Sequence, residues 1–140
     1  MHYQWDFAYM LRYVPLFWRG ILVTLAYTGG TIALGLVLGL AIGLGRLSKS
    51  KLLNFPLIAF IEAFRCTPLL VQIVWFYYAL PVVLGVQIPA TVAATMTLSC
   101  YTGAFYAEIF RGGIVSIERG QWDAARALGL SRWSMMRLVI

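Results

Sequence analysis

The sequence predicts an all-α integral membrane fold, with three membrane-spanning helices and the start of a fourth. Three observations lead there. Charged residues make up 11% of the 140-residue chain and hydrophobic ones 61%. An ordinary soluble domain carries about 25% charged residues, so too few charges are present here to cover a water-facing surface. Two stretches are free of charge, residues 20–45 and 66–107, of 26 and 42 residues. The cations, finally, are grouped in blocks outside those stretches.

Residues 1–19 are read as an interfacial segment. Tyr3, Trp5, Phe7, Tyr9, Tyr13, Phe17 and Trp18 form an aromatic belt of the kind found at headgroup level. The segment lacks a compact apolar region behind a basic start and a small-x-small site, so it does not read as a cleavable signal. Its secondary structure is left open.

The first uncharged stretch, 20–45, is long enough for one spanning helix, which needs ~20 residues. Within it Gly35, Gly39 and Gly43 place three positions without side chains on one helix stripe. Such a stripe lets a second helix backbone approach closely, and close approach drives association where lipid removes the hydrophobic incentive.

The second stretch is too long for one helix and suits two. Pro81, Gly85 and Pro89 cluster in its middle, where a chain leaving the bilayer turns back. The predicted spans are therefore 67–84 and 88–107. The loop after the first span holds Arg46, Lys49 and Lys51, and Arg111, Arg119, Arg126, Arg132 and Arg137 follow the third, whereas the turn at 79–90 holds no cation. By the positive-inside rule the first two blocks are cytoplasmic, the turn is external and the N-terminus is outside. Arg12 and Arg19 run against that orientation.

Two similar tetrapeptides flank the membrane segments, EAFR at 62–65 and EIFR at 108–111. Glu62 with Arg65, and Glu108 with Arg111, are i,i+3 neighbours at the same expected membrane face. Each acid is expected to pair with its own arginine, which lowers its cost near the bilayer. The alternative is that either glutamate serves a proton or substrate pathway. Neutral polar groups in the spans, Thr67 and Gln72 in the second and Ser99 and Thr102 in the third, either bond neighbouring helices or line a solute path. A path of such groups suits a polar or zwitterionic small molecule better than a bare ion. Cys66 and Cys100 read as small apolar fillers, and no cluster of metal ligands is present.

The chain closes on GQWDAARALGLSRWSMMRLVI. Residues 121–128 read as a short helix with Trp122, Ala125 and Leu128 at spacing three and Asp123 in its first turn. Gly129 ends it in a left-handed conformation, and Ser131 caps a next helix that begins at Arg132 and grows apolar. Helix, tight turn and helix also suit a DNA-binding motif. Its reading helix, however, would have to end in solvent, and this one turns apolar, so no nucleic-acid partner is expected.

The same stretch resembles the E-A-A-x-x-x-G-x9-I-x-L-P signature of permease subunits of bacterial ABC importers. Asp123, Ala124, Ala125, Gly129 and Val139 stand at signature positions, with Asp for Glu and Val for Ile. EAFRCTPLLVQIVWFYYALP and YAEIFRGGIVSIERGQWDAARALGLSRW are further similar to the polar amino-acid branch of that group, the histidine, glutamate, glutamine, arginine and opine permeases. The likeness covers about residues 20–140.

The resemblance implies a binding-protein-dependent importer fold in the bacterial inner membrane. It also implies a cytoplasmic coupling loop at about 112–136, whose short helix sits in a cleft of a separate ATP-binding subunit. Gln121, Trp122, Asp123, Ala124, Ala125, Arg126, Leu128 and Gly129 are the residues it assigns to that contact. The implied partners are that ATPase, a second permease copy or homologue, an extracytoplasmic amino-acid-binding protein and the lipid membrane. The chain has no G-x-x-x-x-G-K-[ST] loop, so ATP is expected on the partner, with no cofactor or metal here. The sequence stops at Ile140, where the signature continues to Leu-Pro and further spans. A piece of a longer permease is the favoured expectation, and residues 1–140 alone are expected to support no uptake. The alternative function is a membrane assembly subunit that packs by its glycine stripe and transports nothing.

Overall fold

The computed structural model describes residues 7–138, all of whose regular structure is helical. In chain order the elements are α1 (Phe7–Leu11), α2 (Val14–Gly45), α3 (Lys51–Cys66), α4 (Leu69–Val74), a π-helical segment (Trp75–Ala79), α5 (Leu80–Leu84), α6 (Ala90–Val115), α7 (Arg119–Ala127) and α8 (Arg132–Leu138). Tyr3 and Trp5 of the expected aromatic belt lie outside the described residues.

The first long helix starts earlier than its charge-free stretch. α2 begins at Val14, with Pro15 in its first turn, and has 32 residues. Proline lacks an N–H that would be orphaned there anyway. At 1.5 Å per residue α2 is about 48 Å long, more than the ~30 Å of bilayer hydrocarbon. The segment expected at 1–19 is thus partly the exposed N-terminal turns of α2. Tyr13, Phe17 and Trp18 are all exposed, and Tyr9 and Tyr13 join hydroxyls at 2.8 Å.

The core is the contact between α2 and α6, and it is built from small residues. Thr31, Gly35, Gly39 and Gly43 are buried on α2 at a strict spacing of four. On α6 the stripe faces Thr102, Gly103, Tyr106, Ala107 and Phe110, of which Gly103 and Ala107 are buried. A Cβ on Gly43 would lie 2.8 Å from the Ala107 carbonyl oxygen. In return, one on Gly103 would lie 3.2 Å from Leu38 Cβ. Backbone against backbone at this separation leaves room for nothing larger.

Large apolar side chains point outward instead, with Leu25, Val37 and Leu70 all more than 60% exposed. Small residues inside and large ones outside invert the soluble pattern and match a helix pair solvated by lipid. By length and composition α2 is apolar enough to cross a membrane alone, with mean hydropathy 2.0 over its best window. The pair α3 plus α4–α5 passes the same test only jointly, and it is bent by 109° at residues 67–68.

Two expectations change here. The stretch after the first span is not simply a loop, because residues 51–66 form α3, with Pro56 on its exposed side. Pro81 is not in the external turn either: it opens α5, while Gly85 (φ 66°) ends that helix and Pro89 caps α6. Proline in a first turn continues a helix, and only the left-handed glycine reverses it.

Candidate functional site

The closing segment projects from the cytoplasmic end expected for the α2–α6 pair. α7 starts at Arg119, two residues before the expected start, so Asp123 lies in its second turn and not its first. The end of α7 is a Schellman motif. Gly129 N–H donates to the Arg126 carbonyl at 2.9 Å and Leu130 N–H to the Ala125 carbonyl at 3.1 Å. Gly129 has φ 71°, a conformation a side chain would strain. Ser131 then caps α8, its Oγ accepting from Ser134 N–H at 3.2 Å.

The stripe expected to enter a partner is divided. Ala125 is buried against its own chain at 3% exposure, Trp122 is half-buried and Leu128 is 79% exposed. Three residues at spacing three span too wide an arc to share one contact. The outward face therefore comprises Gln121, Asp123, Ala124, Arg126 and Leu128, while Ala125 anchors the helix. Arg126 Nη1 donates to Asp123 Oδ1 at 3.4 Å, and since both side chains are exposed the pair adds about 0–1 kcal/mol. α8 leans back over the bundle, leaving a groove of ≈ 650 Å³ between Leu44, Ile109 and Phe110 on one side and Trp133 and Met136 on the other. The interval expected for the coupling loop, 112–136, thus takes in the last turn of α6, all of α7 and most of α8.

The two tetrapeptides have different fates. Glu108 Oε2 accepts from two nitrogens of Arg111, Nη2 at 2.8 Å and Nε at 3.1 Å. Glu108 also takes Arg46 Nη2 on Oε1 at 3.2 Å. Glu62 and Arg65 do not pair. The Arg65 guanidinium lies over the Phe105 ring, 5.4 Å from its centroid, and Glu62 Oε2 accepts from the Cys66 thiol at 3.3 Å. An aromatic face on α6 competes successfully with a carboxylate that stays in solvent. Cys66 is accordingly exposed and no apolar filler.

The four solute-path candidates fall into two places. Gln72 is buried at 6% exposure at the α3–α4 bend. Its Nε2 donates to the carbonyls of Phe64 at 2.7 Å and Thr67 at 2.8 Å. These carbonyls are orphaned where α3 stops, so Gln72 closes the bend as a cap does. With Thr67, Phe64 and Trp75 it lines a groove of ≈ 430 Å³. Ser99 and Thr102 are elsewhere, on α6. Thr102 bonds the Leu98 carbonyl at 2.8 Å and abuts Gly35, and the Ser99 hydroxyl is buried without a partner. Arg46, which joins the Glu108 cluster, has no local pattern that would have found it.

The model for the binding-protein-dependent transport system inner membrane component matches residues 31–140. This chain belongs to that family. As an inner membrane component it is 38% identical over 138 residues to the glutamine transport system permease protein GlnP of Escherichia coli strain K12, covering 98% of the chain and 63% of that protein. It is 37% identical over 141 residues to the probable amino-acid ABC transporter permease protein YckA of Bacillus subtilis strain 168, covering 98% and 62%. Among solved structures, the crystal structure of an amino acid ABC transporter with histidines superposes with TM-score 0.85 at 37% identity, over 96% of this chain and 63% of that one. The inward-facing MetNI methionine ABC transporter does so with TM-score 0.69 at 27% identity, over 91% and 62%. The chain therefore spans a little under two thirds of the length of the relatives it matches.

Proposed function

We propose that this inner membrane component serves as a permease subunit of an ATP-driven importer of polar amino acids. It crosses the membrane several times, with its N-terminus outside, and α7 docks on a separate ATP-binding subunit. A second permease copy and an extracytoplasmic binding protein complete the assembly, and ATP is hydrolysed on the partner. The observation that carries this reading is the build of α7. A nine-residue helix is anchored by Ala125 and closed by a left-handed glycine, and it holds Asp123, Arg126 and Leu128 outward. A short helix with a fixed exit angle transmits a push, whereas a flexible loop dissipates it. The relatives described as amino-acid permeases supply the substrate class.

The glycine stripe argues against a subunit that only packs. Gly35, Gly39 and Gly43 are used within the chain, between α2 and α6, so they offer no face to a neighbour. The test is a mild-detergent pull-down of the tagged native protein, followed by mass spectrometry. Co-purification of an ATP-binding subunit is expected, and retention of none would overturn the docking role. Gly129→Asp in the full-length protein should then uncouple uptake from ATP hydrolysis while leaving the assembly intact.

A further inference from the structure

We propose that α3 does not cross the bilayer but lies along its cytoplasmic surface. Its outer apolar residues then sit at the boundary of headgroups and acyl chains, and Lys49 and Lys51 rest on anionic phospholipid phosphates. The inference rests on the reading of α2 as a membrane span.

Three observations converge. The chain turns by 109° between α3 and α4–α5, so the two cannot be one straight crossing. Both halves of α3 also meet the same end of the α2–α6 pair. A Cβ on Gly45, the last residue of α2, would touch Leu57 at 2.9 Å. Eight residues on, Arg65 covers Phe105, three positions before the Glu108 that binds Arg46 at that end. Gly43 faces Ala107 and Phe110, so the step along α6 from the level of Gly45 to Phe105 is shorter than the ~12 Å of α3 between Leu57 and Arg65. α3 is therefore inclined to the bundle axis and not parallel to it.

The third observation is the charge pattern. Lys51 and Glu62 are both exposed, on opposite ends of α3. At 1.5 Å per residue they are about 16 Å apart along the helix. An upright α3 would carry one of them deep into hydrocarbon, which is costly, whereas a recumbent one keeps both at headgroup level.

The faces of α3 fit that placement. Ile61 at 2% exposure, with Asn54 and Leu57, turns inward. Leu52 at 88% and Phe55 at 77% turn outward, followed by Pro56 and Ala59. Residues 46–61 contain Arg46, Lys49 and Lys51 and no acid. With Arg46 held by Glu108, two exposed cations remain beside an exposed apolar face, the arrangement that binds an anionic lipid surface.

The experiment is spin-label depth measurement on the full-length protein in vesicles, with Cys66 and Cys100 replaced by serine. Single cysteines are placed at Leu52, Phe55, Ala59, Ile61 and Ala63, and at Val37 of α2 as the reference. The expected result is lipid access at Leu52, Phe55 and Ala59, none at Ile61, and no progressive depth along α3. A steady deepening of about 1.5 Å per residue would make α3 a leg of a span and overturn the proposal. So would outer positions closed to both lipid and aqueous probes, which indicates a protein partner, or open to water while Val37 is in lipid. Water access at Val37 as well would instead remove the membrane reading itself. In vesicles containing phosphatidylglycerol, Lys49→Glu with Lys51→Glu should shift the Phe55 label toward water, with no shift in pure phosphatidylcholine. Equal behaviour in both lipids would overturn the phosphate contact.

Discussion

Arg46 Nη2 lies 3.2 Å from Glu108 Oε1, although 62 positions separate the two residues. The contact ties the C-terminal cap of α2, where the Arg46 cation also offsets the negative pole of that helix, to α6 about two turns before its end at Val115. Arg111 binds the other carboxylate oxygen at 2.8 Å, so one acid holds two guanidiniums together. Glu108→Gln should leave those cations facing each other and cost about 1–3 kcal/mol. Thermal unfolding of the full-length protein in detergent measures this. A double-mutant cycle with Arg46→Ala should give a non-zero coupling, and strict additivity would show that the contact contributes nothing.

Gly43→Leu should be among the most damaging changes in α2. Its Cβ would face the Ala107 carbonyl oxygen at 2.8 Å, and backbone cannot yield as a side chain does. A cost of about 1–3 kcal/mol or more is expected, seen as lost folded yield and a lower Tm. Gly30→Ala is the matched comparison, since nothing lies within 4 Å of its added Cβ. It should be neutral or stabilise by about 0.5–1 kcal/mol.

Gly129→Ala should strain the exit from α7, because alanine disfavours φ 71° by about 1–2 kcal/mol. Nothing lies within 4 Å of the added Cβ, so the effect is one of angle and not of clash. The expected signature is reduced ATPase stimulation at unchanged expression. Unchanged stimulation would show that the left-handed turn has no part in coupling.

Gln72→Leu removes both amide donors from the Phe64 and Thr67 carbonyls at the bend. Leaving two buried acceptors unpaired should cost about 1–3 kcal/mol each before water enters. Hydrogen exchange around residues 64–72 should rise selectively. If exchange were unaltered there, the amide would not be what closes the bend.

Much of the fold was legible because the patterns that specify it are local. Charge-free length located the body of α2 from residue 20 to its end at Gly45 but not its start at Val14, and spacing alone placed Gly35, Gly39 and Gly43 on one stripe. Gly129 and Ser131 were readable as stop and start, since turn and cap chemistry depends on a few adjacent residues. The reading failed where a competitor came from elsewhere in the chain. Glu62 and Arg65 have the same spacing as Glu108 and Arg111, yet Phe105 takes the arginine. Trp122, Ala125 and Leu128 share a period, but only Ala125 is fully covered by its own chain, Trp122 is half-covered and Leu128 stays exposed.

Composition and spacing thus determined that the chain is helical, suited to lipid and punctuated at Gly85 and Gly129, because hydropathy and backbone conformation are properties of short segments. Which helix meets which was decided only on folding. The α2–α6 contact, the third member of the Glu108 cluster and the packing of α3 on α6 beside its 109° turn all depend on groups brought together over long separations. No run of neighbouring residues encodes them, since their free energy exists only once the helices have packed.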